Sequence, residues 1–572
     1  MGGSPRRGGT LQRATDNERS LVDSMGLRHP SSAACMSKAS PGALRSRPSR
    51  ADRFMDFSGE DEVARSFCVV RDRWIPVIVR SDLGSGEVAE LERLMPGAVP
   101  GGRVVVGLHL LFEAAHLLAD LDVPHPPVEA MLRRLLAAVT ARVTGLDAGR
   151  SEEWLDRRED VLAAGRFDAA ELRAYWGKHS GRWNLYDATR PYLQDPRLAA
   201  ECREDGPPGR LAMNRPSGNN GVWTDNTPQA VPLDAAEAAG WLLVWYGFGP
   251  SGTAAVRSRN GRGSKTCKAG PYRSLISYFP HAPERLFVSL VASVPGPSAW
   301  PTSPGDDLAP WEGDLLAPTA PPAPSGPVSL LTARTAHAVL LTGDDVGRTT
   351  GCRVTWGTSV ALPAAVDPYV IERDKGGPLL ASRERAVWRD LDALLLKVRP
   401  GTRVSRRRPT VFDTLADLPP DTLRSLGVRA VAWDQERRDK NSRWYEATTP
   451  PLLGHMEENS PEGAAAIAAA HHQAEAAASA LGRALSAAWH AVNTGRRSQE
   501  RSGFLGRALT RYWEEAETEF WKVVTDTGER PAFRRITLSC FDTAAKPLKT
   551  TVHGMDAVAK ARVGLTHPSG KK

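Results

Sequence analysis

Between Glu237 and Glu284 the chain contains no Asp or Glu, yet it carries Arg257, Arg259, Arg262, Lys265 and Lys268 amid glycines and serines. That stretch opens with Gly247-Phe248-Gly249-Pro250-Ser251-Gly252. A glycine backbone lets a ligand approach closely because no Cβ stands in the way. Cations with no acid beside them in sequence suit a polyanion; the alternative is a solvated flexible loop. Gly247-x-Gly249-x-x-Gly252 is also a literal dinucleotide fingerprint. Its context excludes that reading, because a helical register from Asp234 precedes it where a strand belongs. No helical pattern follows, and no acid lies about 20 residues on to hold a ribose.

Other chemistry is not visible. The sequence has no His-Glu-x-x-His, no Gly-x-Ser-x-Gly and no Walker loop. Its 13 histidines show no ligand spacing. His471 and His472 are adjacent, so on a helix they point about 100° apart and are not expected to share a metal. His109 and His116 read as core histidines, and Asp306-Asp307 and Asp344-Asp345 as turn formers. The six cysteines, at 35, 68, 202, 267, 352 and 540, include no Cys-x-x-Cys pair. Neither disulfides nor a zinc knuckle is expected, which points to a reducing cytoplasm. No catalytic residue, cofactor or metal is expected.

With 572 residues and a formal charge of +8, the chain has room for two or three domains and is compatible with nucleic acid. No secretory signal opens it, and its longest apolar run, residues 104–121, is broken by charges and histidines. Residues 1–54, rich in Gly, Ser, Arg and Pro, are expected to be a disordered extension. Strands flanking an Arg71-Asp72-Arg73 turn should begin the ordered part. Helical periodicity then covers 105–121, 127–143 and 159–175. Strand-like pieces recur at 328–331, 338–341, 353–356 and 369–371, with a helix near 383–398. Residues 428–433 and 444–450 read as strands joined by a polar tip, Asp434 to Arg443, forming a projecting hairpin. From Ser460 the pattern is helical to the end, with four segments suggesting a bundle. The expected architecture is α+β: a large mixed domain over 55–455, followed by a C-terminal four-helix bundle over 456–572.

Several segments in order carry a family resemblance. They are Arg73-Trp-Ile-Pro-Val77, Trp183-Asn-Leu-Tyr-Asp-Ala-Thr-Arg-Pro-Tyr-Leu-Gln194, Ser217-Gly-Asn-Asn220, the glycine stretch, residues 444–451 and the helical C-terminus. From about Phe67 onward the chain resembles the CasA family, the large subunits of type I-E CRISPR surveillance complexes (Cascade). The resemblance implies no enzymatic activity. It implies recognition of the protospacer-adjacent motif (PAM) in double-stranded DNA, the start of unwinding, and a platform for the helicase–nuclease. The implied partners are the other Cascade subunits, the 5′ handle of the guide RNA and target duplex DNA. A sequence-indifferent, free-standing nucleic-acid-binding protein is the alternative.

Carried over residue by residue, the family's glycine loop falls on Gly247, Gly249, Ser251 and Gly252, with Arg257 and Arg259 beyond it. Its minor-groove lysine falls on Arg353. The segment anchoring to the guide's handle falls on Ser217 to Pro228, including Asn219, Asn220, Trp223 and Asn226. The wedge hairpin that enters the duplex falls on Asp434 to Arg443, with Arg437, Arg438 and Lys440 in its tip. The wedge glutamine position holds Arg438; either Arg438 wedges as a planar cation, or the register slips and Gln435 does. Cys352 stands without a cysteine cluster around it, so no zinc is expected there.

Overall fold

The computed structural model describes residues 66–215, 227–313, 321–373, 377–381, 386–397, 406–435, 441–493, 498–526 and 530–566. The expected extension over 1–54 lies outside them. Residues from Val63 onward cluster as one compact unit. The architecture is α+β, with a helical C-terminal region.

The chain enters through β1 (Ile75–Val79), flanked antiparallel by β2 (Arg103–Val106) and β3 (Leu118–Leu121). The sequence reading put one helix over 105–121. Instead β2 and β3 bracket a short helix, Leu108–Glu113, because Gly107 breaks the register and packs against the Val70 and Arg71 backbone. The helical pattern at 159–175 divides likewise, at Gly165, into Ser151–Ala164 and Ala169–Lys178.

Helix α1 (Pro126–Thr144) lies at the centre of the mixed α+β part of the chain. Prolines occupy its first turn, Gly145 at φ 70° ends it, and nearly every residue is buried. Two of those are arginines, and each is matched. The Arg134 guanidinium donates to Asp367 and to Ser277 Oγ (2.8 Å), and lies 4.1 Å over the Tyr272 ring. Arg133 pairs with Glu129 and Asp120, and Glu129 also receives Arg429. A buried ion pair adds little net stability, but removing one partner strands the other.

Helix α2 (Ala235–Phe248) is apolar all round and buried, as a helix enclosed by protein must be. It packs on α1 where Gly240 meets Val128. Next come a hairpin, β4 (Gly252–Arg259) and β5 (Arg262–Cys267), and then β6 (Ile276–His281). A second hairpin joins β7 (His337–Gly343) to β8 (Thr349–Trp356). Residues 328–331, read as a strand, are the helix Pro327–Thr332, which a proline starts and which docks on α1. Residues 369–371 are not a strand either: Tyr369 is pinned in the core, its hydroxyl donating to the Ser293 carbonyl. The helix expected near 383–398 shrinks to a turn at Val387–Asp390 and a short helix, Leu391–Leu395. Strands β9 (Gly427–Gln435) and β10 (Asn441–Thr448) form the expected hairpin, and β9 pairs on its other side with β6.

The C-terminal helices are α3 (Pro461–Val492), α4 (Ser498–Thr525), α5 (Phe533–Ala544) and α6 (Val552–Thr566). In α3 the buried face runs Ala464, Ile467, Ala474, Ala478, Leu481, Leu485, Ala488, at helical spacing. Small alanines let the helices approach; the Tyr512 hydroxyl reaches the Ala474 carbonyl at 2.9 Å. Trp388 packs the preceding part of the chain on these helices, against Trp513 and Phe520 at ring separations of 5.7 and 4.7 Å.

Candidate nucleic-acid interface

The basic stretch after α2 is a β-hairpin, not a loop. Arg259-Asn260-Gly261-Arg262 closes it, with Asn260 at φ 51° and Gly261 at φ 74°, the two left-handed residues a type I′ turn requires. That Asn-Gly signal was present in the sequence. The strands hid it because both faces are largely exposed, so no apolar alternation marks them.

The hairpin rests on β8. Trp356 Nε1 donates to the Ser264 carbonyl at 3.0 Å, and Thr355 Oγ1 to the Ala255 carbonyl at 2.7 Å. Arg262, Lys265 and Lys268 are exposed, and Arg259 is half-buried. Arg257 corrects the sequence reading. Its side chain is wholly buried, donating to Asp195 (2.9 Å), Glu201 (2.5 Å) and the Trp356 carbonyl (3.0 Å). It is a structural anchor and has no surface to offer a phosphate. A stretch free of acids in sequence is therefore not free of them in space. Burial raises the Asp195 carboxyl, but Arg197 and Arg257 outweigh it and leave it below the usual range.

Arg353 stands on β8 facing Asp205, with Nη1 3.0 Å from Oδ1. Thr342 Oγ1 donates to the other oxygen of Asp205. Reaching a groove from there requires giving up that ion pair.

The glycines serve the protein first. A Cβ on Gly247 would lie 2.9 Å from the Tyr272 ring and collide with Met131 Sδ. One on Gly249 would lie 2.5 Å from His337 Nδ1, and one on Gly270 2.5 Å from the Gly247 carbonyl oxygen. Gly270 N donates to the Gly249 carbonyl at 2.8 Å and Tyr272 N to the Gly247 carbonyl at 2.9 Å. Gly247 and Gly249 are buried, whereas Gly252, at φ 127°, is exposed and Ser251 half-buried. His337 Nε2 lies 2.9 Å from the Pro250 carbonyl, which can only accept, so Nε2 carries a proton. Burial depresses that ring's pKa to about 4.

Gln435 is likewise not at a tip. It is the last residue of β9 and is buried, its Nε2 donating to the Phe248 carbonyl and its Oε1 accepting from Ser274 N. As placed, it ties the hairpin's base to the glycine segment and is not free to enter a duplex. Asp434 and Arg443 are paired within the strands, so the tip is shorter than expected. Arg437, Arg438 and Lys440 lie outside the described residues, as do Asn219, Asn220, Trp223 and Asn226.

Two hairpins thus adjoin one glycine segment: β4–β5 follows it directly in the chain, and β9–β10 is bonded to it through Gln435 and Phe248. The sequence profile of the family described as CRISPR-associated protein Cse1 matches residues 70–546. The chain belongs to that family. It is 32% identical to CRISPR-associated protein CasA/Cse1 of Thermus thermophilus over 318 residues, 52% of this chain and 57% of that protein. That match therefore spans less than two thirds of the relative's length. Over 88% of this chain and all of the other, it is similar to a chain of a CRISPR RNA-guided surveillance complex, with 33% identity and a TM-score of 0.75. For the same kind of complex in a pre-nicking state the values are 32% and 0.69, over 89% of this chain and 100% of the other. Thermobifida fusca Cse1, at 18% identity and TM-score 0.67 over 88% and 97% of the two chains, shares the fold.

In this Cse1 chain Cys267 and Cys352 are buried thiols. Burial pushes the thiols of Cys267 and Cys352 to about 12. Among the described residues no helix is long and apolar enough to cross a membrane. One arrangement was not expected from the sequence. The His471 and His472 rings do converge, on Asp392. Adjacent helical side chains diverge by about 100°, but here one ring presents Nδ1 and the other its more distant Nε2, which closes the angle.

Proposed function

We propose that the chain is the large, non-catalytic subunit of a cytoplasmic type I-E CRISPR surveillance complex, bound to the other subunits and to the guide RNA's 5′ handle. In this role it reads the PAM of duplex target DNA, starts its unwinding and gives the helicase–nuclease a docking platform. Its likeness to a surveillance-complex chain across that chain's whole length supports the assignment. The observation that carries the DNA-reading part is the pairing of the two hairpins. Arg262, Lys265 and Lys268 are exposed on or just beyond β5, whose Ser264 carbonyl is held by β8, and Gln435, the last residue of β9 before the cationic tip, is bonded to Phe248 in the glycine segment.

In guide-dependent recognition, base pairing reads the sequence while the protein reads a short duplex motif and shape. The minor groove offers a degenerate pattern, which a few backbone and cationic groups can read. Unstacking a base step costs a few kcal/mol, so a finger entering the duplex must be held by phosphate-binding cations nearby. The β4–β5 cations supply that hold, and Arg437 with Arg438 supplies the finger.

The test compares complexes carrying Arg437→Ala with Arg438→Ala, or Arg262→Glu with Lys265→Glu. The first pair should weaken binding to closed duplex while sparing targets opened beforehand. The second should weaken both and flatten the salt dependence, by a slope of roughly 0.9 for each phosphate that is no longer neutralised. Equal weakening on closed and opened targets for the first pair removes the wedge. Strong binding by the chain alone, indifferent to the motif, would favour a free-standing nucleic-acid-binding protein.

A further inference from the structure

The convergence of His471, His472 and Asp392 occurs where the bundle meets the large domain. His471 Nδ1 lies 3.5 Å from Asp392 Oδ2, and His472 Nε2 lies 3.8 Å from the same oxygen. One ligand atom from each of the three residues falls within 4.8 Å of the others. The two separations are too long for hydrogen bonds. They are close to the edge of a tetrahedron around an ion bound at about 2.0–2.1 Å, which is roughly 3.4 Å.

A second observation points the same way. His471 is 4% exposed, and its ring nitrogens face carboxylates at more than ordinary hydrogen-bond distance, Nδ1 toward Asp392 at 3.5 Å and Nε2 toward Glu475 at 3.7 Å; burial opposes a charge on the ring, but without an ion these two carboxylates favour its protonated form. Buried polar atoms are usually hydrogen-bonded more closely than this. An ion beside Nδ1 would provide the closer partner.

The surroundings are those of ligands held in place. His471 Nε2 faces Glu475 Oε1 at 3.7 Å, the position from which a carboxylate orients a metal-binding imidazole. Arg389 in turn holds Glu475 at 2.7 Å, and Arg406 holds both oxygens of Asp392 at 2.8 and 2.9 Å. The two guanidiniums oppose a cation, but Asp390, Asp392 and Glu475 outnumber them, and Asp390 itself receives Arg406.

We propose that Asp392, His471 and His472 bind one Zn²⁺ that fastens α3 to the Leu391–Leu395 helix. Two imidazoles and one carboxylate suit zinc, which imposes no rigid geometry, and disfavour magnesium or calcium, which prefer oxygen. Water reaching exposed His472 completes the fourth position. The site lies far in sequence from Cys352 and uses no thiolate.

The experiment titrates the full, untagged chain, stripped with a chelator, with ZnCl₂ against a chromophoric zinc indicator, and follows thermal unfolding with and without zinc. The expected result is one equivalent bound and a raised melting temperature, with no such rise from MgCl₂. His472→Ala, at a side chain 71% exposed, should fold normally, lose at least tenfold in zinc affinity and lose the rise. Asp392→Asn should behave alike. Absence of zinc binding to the parent chain overturns the proposal, as does binding and stabilisation that His472→Ala leaves unchanged.

Discussion

Gln435 Nε2 donates to the Phe248 carbonyl at 3.2 Å, joining the end of β9 to the last residue of α2, 187 positions earlier in the chain. The same residue is tied twice to Ser274, whose N–H meets its Oε1 at 3.2 Å and whose hydroxyl meets its carbonyl at 2.8 Å. The end of β9 is therefore held at two points, Phe248 and Ser274. Gln435→Leu should leave a buried carbonyl and amide unpaired, at a cost of about 1–3 kcal/mol, seen as a lower denaturant midpoint. If the joint matters for recognition, the variant complex also weakens on closed duplex more than on opened targets. A variant as stable and as tight as the parent would show that the joint is incidental.

Arg257 and Arg262 lie five positions apart in a basic hairpin and should behave oppositely. Arg257→Ala leaves Asp195 with Arg197 alone and takes the guanidinium from half-buried Glu201, so the loss should approach but not exceed the roughly 3–5 kcal/mol of a broken buried pair. Arg262→Ala removes an exposed side chain and should change stability by under about 0.5 kcal/mol, while loosening duplex binding and its salt dependence. Chemical denaturation and binding at two salt concentrations separate the cases. The expectation fails if Arg257→Ala is neutral, or if Arg262→Ala is as damaging to the fold.

The contrast explains what could be read from sequence. Helices such as α1, α3 and α4 were legible because apolar residues recur at helical spacing over many turns. The β9–β10 hairpin was legible because Trp433 and Trp444 flank a charged tip. Residues 105–121 misled because β2 and β3 are four residues each, too short to show alternation, and a helix stands between them. At the site, sequence gives residue types but not distant partners. The acids that cancel Arg257 and face Arg353 arrive from 195, 201 and 205, and nothing local announces them. From sequence, Gly247 and Gly249 read as room for a ligand to approach the backbone. Instead they are constrained by Met131, Tyr272 and His337 within the protein.

His337 gives the large domain an acid limit. Burial lowers its pKa from the ordinary 6.5 to about 4, although its bond to the Pro250 carbonyl opposes part of that shift. A depressed folded value means the unfolded chain takes the proton first. The stability from this residue is therefore complete above pH 6.5 and is lost as pH falls toward 4, on the order of 3 kcal/mol in all. Denaturant midpoints should hold level from pH 8 to 7 and fall below 6.5. His337→Gln should make the fall shallower, and an unchanged slope in that variant would assign the limit to other groups, His281 among them.

Gly249 and His337 are coupled by contact, and a double-mutant cycle can measure it. A Cβ at 249 would meet His337 Nδ1 at 2.5 Å, and the ring cannot swing aside. Its Nε2 is bonded to Pro250, and its face is 5.5 Å from the Trp245 ring. Gly249→Ala should therefore cost about 1–3 kcal/mol, as overpacking does. In a His337→Ala background the space opens, and the same substitution should cost much less. Touching residues show such interaction energies, about 0.5–3 kcal/mol, where distant ones simply add. Additive costs would mean that Gly249 is required for something other than room beside the imidazole, and a ligand approaching the backbone would then be the better explanation.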